Sequence, residues 1–154
     1  AAGSGKNAED ANQEVKGHAT VIRIFTHREL KDSLGEQKTK ALVEDFRAYK
    51  EGKGLPITFG RDVPYQFTHN RAYLELQHLH LNENGFPLKL VQFRRTSGYV
   101  LVYCSGFFDR NTYLLIAIIK HWDHNKPNDV EGTDRDAQLM KALETIAEGF
   151  REKF

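Results

Sequence analysis

The stretch "TYLLIAIIK" (112–120) constrains the fold more than any other part of the chain, because every residue from Leu114 to Ile119 is apolar. Successive side chains of a strand point to opposite faces. A strand of this composition is therefore apolar on both faces and belongs in the middle of a sheet. The run is short, and its β-branched residues and flanking aromatics favour a strand over a helix. It also falls far short of the ~18 to 20 residues that a membrane-spanning helix needs. No secretory signal pattern opens the chain, so a cytoplasmic protein without a membrane partner is expected.

The other elements are read around this strand. Residues 1–18, "AAGSGKNAEDANQEVKGH", hold almost no large apolar side chain and have the composition of a disordered linker or an expression leader. Residues 19–154 are read as a single domain. "ATVIRIFTH" (19–27) reads as a first strand, and Leu30, Leu34, Leu42, Val43, Phe46 and Tyr49 recur at helical spacing from about Glu29 to Lys50, with a break near Gly35. "EGKGLP" ends that helix. "ITFGRDVPYQF" (57–67), with Gly60 and Pro64 close together, is read as a loop. Strands are expected at 72–82, 88–96 and 99–105. A polar loop follows the apolar strand, and Leu139, Leu143, Ile146, Ala147 and Phe150 mark a closing helix. This is an α+β layout, an antiparallel sheet with helices packed on one face and the other face open.

Cys104 is the only cysteine, which excludes an intrachain disulfide and a cysteine-based zinc site, and its apolar setting reads as a buried small residue. The net charge is +1. Residues 1–18 carry Lys6 and Lys16 against Glu9, Asp10 and Glu14, so 20 basic and 18 acidic residues remain in the folded part, a net +2. Such a balance excludes a generic nucleic-acid coat, and any anion site must be a local patch.

The chemistry-bearing residues concentrate in "QHLHLNENGFPLKLVQFRRT" (77–96). His78 and His80 project from one face of a strand, with Leu79 and Leu81 on the other. Joined by His121 or His124, such a pair is a possible zinc site, but no acidic ligand is evident nearby on the strands, and the reading adopted has no metal and no cofactor. The bland alternative is a polar strand face with local hydrogen bonds. The functional one places the imidazoles near Arg94, Arg95 and Lys120, residue types that suit a phosphodiester, since histidine moves protons near neutral pH and arginine stabilises phosphate charge.

Four blocks, "DFRAYKEGKGLPITFGRD", "HLHLNENGFPLKLVQFRRT", "LVYCSGFFDRNTYLLIAIIK" and "GFREKF", together resemble the YafO family of bacterial toxins over roughly residues 22–154. The positions that carry the resemblance include Tyr49, Lys50, Gly60, Arg61, Asp62, His78, His80, Gln92, Arg95, Tyr103, Lys120, His124, Arg151 and Phe154, but not Arg94 or His121. The resemblance implies a type II toxin that cleaves mRNA on the ribosome and is silenced by a cognate antitoxin, and an architecture like the compact ribonucleases of the RelE type. Chemistry then suggests the roles. His78 or His80, with His124, would serve as acid and base, and Arg95 as the phosphate clamp. Arg61, Lys120, Arg151 and Phe154 would contact RNA, the last two from a chain end free of packing, and Asp62 would orient a histidine or arginine. A non-catalytic module that blocks translation by binding the ribosome is the alternative.

Overall fold

The computed structural model describes residues 21–66 and 69–154; the expected leader and the first two residues of the expected first strand lie outside them. Strand β1 (Arg23–Thr26) leads into α1 (Arg28–Leu34) and α2 (Glu36–Lys50). These two helices are separated at Gly35, whose φ of 83° only glycine adopts without strain. β2 (Phe59–Pro64), α3 (His69–Leu74), β3 (Gln77–Leu81), β4 (Tyr99–Ser105), β5 (Thr112–Lys120) and α4 (Ala137–Lys153) follow. The sheet order is β1-β5-β4-β3-β2, so β5 is internal as its composition requires. β1 runs parallel to β5 and the other neighbours are antiparallel.

The α+β class holds, with two differences in detail: the sheet is mixed rather than antiparallel, and helices cover both of its faces. Val100, Val102 and Cys104 of β4 pack with Leu114 and Ile116 against Met140, Leu143 and Ala147 of α4. The alternate residues Leu101 and Tyr103 pack with Leu79 and Leu115 against Phe46 of α2. Cys104 is fully buried, and burial pushes its thiol up to about 12, as expected of an inert core residue. Asp136 starts α4 by accepting the Leu139 N–H at 3.2 Å and the Gly132 N–H at 2.9 Å. Among the described residues no helix is long and apolar enough to cross a membrane.

Three local expectations fail. Most of the expected loop 57–67 is the edge strand β2, where Pro64 is tolerated because an edge strand need not donate on its outer side. The expected strand 72–82 is the end of α3 followed by β3, with Glu75 at φ 53° making the corner. Residues 88–96 form an irregular loop with one short 3₁₀ turn, Gln92–Arg94, and Leu88, Val91 and Phe93 are exposed. This loop returns over β2, where the Arg95 carbonyl accepts the Arg61 N–H at 2.8 Å. Gly60 permits that approach, since a Cβ there would stand 2.3 Å from the Arg95 oxygen.

Candidate active site

His78 and His80 share one face of β3 as the alternation requires, but that face is not open. It is the face covered by α4, and both residues are buried, at 9% and 2% exposure. The His78 ring stacks on Tyr65 with centroids 4.0 Å apart, and the Ser97 N–H donates to His80 Nδ1 at 2.9 Å. The histidine that joins the pair is His121, at the end of β5, with ring centroids 6.0 Å from His78 and 4.8 Å from His80. His124 lies beyond, exposed in the following loop.

Burial lowers both imidazoles to about 4, with Asp134 opposing the shift at His78, and with His121 adding to it at both. Neutral, enclosed rings of this kind are poor partners for acid-base work on a polymer. They have a consequence for stability instead. Between pH 6.5 and 4 the unfolded chain protonates these histidines and the folded chain does not, so folding stability falls as pH drops through that window. Each ring contributes roughly 2 to 3 kcal/mol to the loss, less than additively because the two interact. Chemical denaturation at pH 7, 5.5 and 4.5, with chelator present, is expected to show this decline; a flat profile would mean that the rings are solvated.

The arginines assigned to phosphate are mostly structural. Arg95 is buried, its Nε donating to the Leu90 carbonyl at 2.9 Å and its Nη1 to that of Phe59 at 3.4 Å, so it holds the 88–96 loop onto β2 rather than clamping a ligand. Arg151 is also buried; its Nη1 donates to the Ser105 carbonyl at 2.8 Å and lies 3.4 Å from Glu75 Oε2. Phe154 is not free either. Its ring packs on Phe25 and Phe150 at centroid distances of 5.1 and 5.0 Å, and its carbonyl accepts the Phe108 and Asp109 N–H groups, both at 2.9 Å. Arg61 and Lys120 remain accessible. The Arg61 guanidinium lies 4.1 Å from the Phe93 ring centroid and its Nε donates to the Phe93 carbonyl, while Lys120 is exposed at the end of β5.

Asp62 orients neither a histidine nor an arginine. It accepts the Tyr49 hydroxyl at 2.7 Å and the Tyr103 hydroxyl at 2.7 and 2.8 Å, and Lys50 Nζ stands 3.8 Å from it. Lys50 Nζ also donates to the Tyr103 oxygen at 2.9 Å, and Gln92 donates to the Tyr49 oxygen at 3.0 Å. Around the ammonium stand the rings of Phe46, Tyr49, Tyr103 and Tyr113, with centroids 4.9 to 5.6 Å away. The network opens into a cleft of about 560 Å³ that Lys50, Asp62, Gln77, Tyr103, Arg110 and Tyr113 help to line.

Position explains this assembly. Lys50 is the last residue of α2, Asp62 lies on β2 and Tyr103 on β4, so helix and strands meet at one end of the sheet. Burial lowers the Lys50 ammonium, against the opposing pull of Asp62. Burial and Asp62 together raise the Tyr49 and Tyr103 phenols, which stay protonated and act as donors. The cleft thus holds an amine that releases its proton more readily than usual, two oriented hydroxyls and a carboxylate. Residue-type reasoning passed over Lys50, Tyr49 and Tyr103 because a lysine ending a helix reads as a solvated terminus. The signal that could have found them is their place among the positions that carry the family resemblance.

Comparison with known proteins gives the lineage. A family model described as toxin YafO of type II toxin-antitoxin systems matches residues 47–152, which include every hydrogen-bonded member of the Lys50 network. The chain is 37% identical over 139 residues to the mRNA interferase toxin YafO of Escherichia coli (strain K12), a match that spans 86% of this chain and 100% of that protein. No solved structure matches. The chain belongs to the YafO family of type II toxin-antitoxin toxins.

Proposed function

We propose that this protein is an endoribonuclease that cuts mRNA on the ribosome, with the Lys50 cleft as its active site and an antitoxin as its silencing partner. The relative's name supports the reaction class, and the family supports the antitoxin. The observation that carries the siting is the Lys50–Tyr103–Asp62 network opening into a polar cleft.

Cleavage without an added cofactor requires the ribose 2′-oxygen to attack phosphorus while the bond to the 5′-oxygen breaks, giving a cyclic phosphate and a 5′-hydroxyl. Lys50, its ammonium lowered by burial, stabilises phosphate charge and protonates the leaving oxygen. Asp62, which lines the cleft, takes the 2′ proton, and the buried Tyr103 hydroxyl holds that carboxylate and the Lys50 ammonium in place. Arg110, exposed at the cleft, and the half-buried Arg61 and exposed Lys120, elsewhere, supply contacts to flanking phosphates. This reading assigns His78, His80 and Arg95 to the scaffold and His124 to the surface.

Primer extension on cellular mRNA after induction tests the activity. Discrete new 5′ ends within translated regions are expected. Translation arrest with intact mRNA would replace the nuclease with a ribosome-blocking module.

A further inference from the structure

We propose that His78, His80 and His121 form a binding site for one divalent transition metal of the zinc class, separate from the Lys50 cleft and holding β3 to the end of β5. One nitrogen from each ring lies within 4.8 Å of the other two. Two nitrogens on tetrahedral zinc, each ~2.0 to 2.1 Å from the ion, stand about 3.3 Å apart, so modest inward turns of the rings close the site.

An independent observation also points to a ligand. His78 Nδ1 is buried and has no hydrogen-bond partner, the single such side-chain atom found among the described residues. A buried polar atom left unpaired costs about 1 to 3 kcal/mol, and native structures rarely keep one without a use. A metal ion is a partner that such a nitrogen can take.

The surroundings have the features that orient metal-binding histidines. Asp134 Oδ2 lies 3.8 Å from His121 Nε2, a carboxylate behind an imidazole, and Asp134 is itself fixed by the Trp122 N–H at 2.8 Å and the Tyr65 hydroxyl at 3.1 Å. Both the Ser97 N–H, at 2.9 Å, and the Ser97 carbonyl, at 3.2 Å, lie beside His80 Nδ1, so coordination through Nε2 moves the ring proton to Nδ1, which then donates to the carbonyl in place of accepting the N–H. A cleft of about 360 Å³, lined in part by Tyr65, His78, His121, Trp122 and Asp134, gives a water molecule room to enter as fourth ligand. Three neutral nitrogen donors favour zinc, copper or nickel over magnesium or calcium. The absence of an acid on the neighbouring strands, which argued against metal in the sequence, loses its force because three imidazoles and a water suffice.

The test is a titration of the untagged, chelator-treated full chain with zinc by calorimetry and with cobalt(II) by visible absorption. One equivalent is expected to bind, with cobalt bands of tetrahedral intensity and a rise in melting temperature that EDTA reverses. His121→Ala and the bulkier His121→Gln, both at a half-exposed position, are expected to weaken binding at least tenfold while the circular dichroism spectrum stays native; His124→Ala leaves binding unchanged. No binding by the wild-type chain, or equal binding by both His121 variants, would overturn the site. The readout is independent of RNA cleavage, so its failure leaves the nuclease assignment standing, and the converse also holds.

Discussion

Lys50→Met is expected to lower the rate of mRNA cleavage on ribosomes by about 10²- to 10³-fold, the usual loss when a proton donor or charge-stabilising group is removed. The fold should survive, because methionine keeps an apolar stem among Phe46, Tyr49, Tyr103 and Tyr113 and leaves the Tyr103 and Tyr49 hydroxyls on Asp62. A melting temperature within a few degrees of wild type, with toxicity lost, is the expected pair of results. Lys50→Arg sharpens the test. Arginine retains the charge but does not release a proton near neutral pH, so it should remain at least tenfold below wild type if Lys50 is the acid. Full activity in Lys50→Met would remove the cleft from the mechanism.

The second large effect falls on stability. Deleting residues 151–154 removes the buried Arg151 guanidinium from the Ser105 carbonyl, the Phe154 ring from Phe25 and Phe150, and the carbonyl that satisfies the Phe108 and Asp109 N–H groups. Lost hydrogen bonds and packing of this kind cost roughly 3 kcal/mol or more in sum. Gly106 shows how close the fit is, since a Cβ there would stand 2.8 Å from the Phe154 oxygen. Urea denaturation should show the truncated chain much less stable than wild type. Unchanged stability with reduced activity would instead restore the chain end to an RNA-contact role.

The apolar strand β5 and the α4 stripe could be read from sequence because their composition admits one placement each, the middle of a sheet and one face of a helix. Alternation also placed His78 and His80 together. It could not say which face would be covered, since that depends on where α4 packs, far along the chain. The same limit applied to Arg151 and Arg95, which look like surface cations until distant carbonyls of Ser105, Phe59 and Leu90 close on them. β2 was missed because Pro64 signals a turn in isolation and is harmless on an edge strand. Asp62 was expected to orient a histidine or arginine, but its partners are the Tyr49 and Tyr103 hydroxyls of α2 and β4, a meeting that no local pattern records.

Modest charge supports the proposed dependence on the ribosome. A free ribonuclease gathers RNA through its own phosphate contacts, and affinity from these scales with the number of lysines and arginines engaged. This chain has a net charge of +1, and two of its candidate arginines, Arg95 and Arg151, are buried in the scaffold. An enzyme acting on mRNA already held in the ribosome is spared the alignment of a loose encounter, which is worth several kcal/mol. Purified protein should therefore be incubated with one mRNA, naked and on translating ribosomes, at physiological salt, and the cleavage rates compared. Efficient cutting on ribosomes and at least a hundredfold slower cutting of naked mRNA is the predicted result; equal rates in the two arms would contradict ribosome dependence and leave a free ribonuclease in its place.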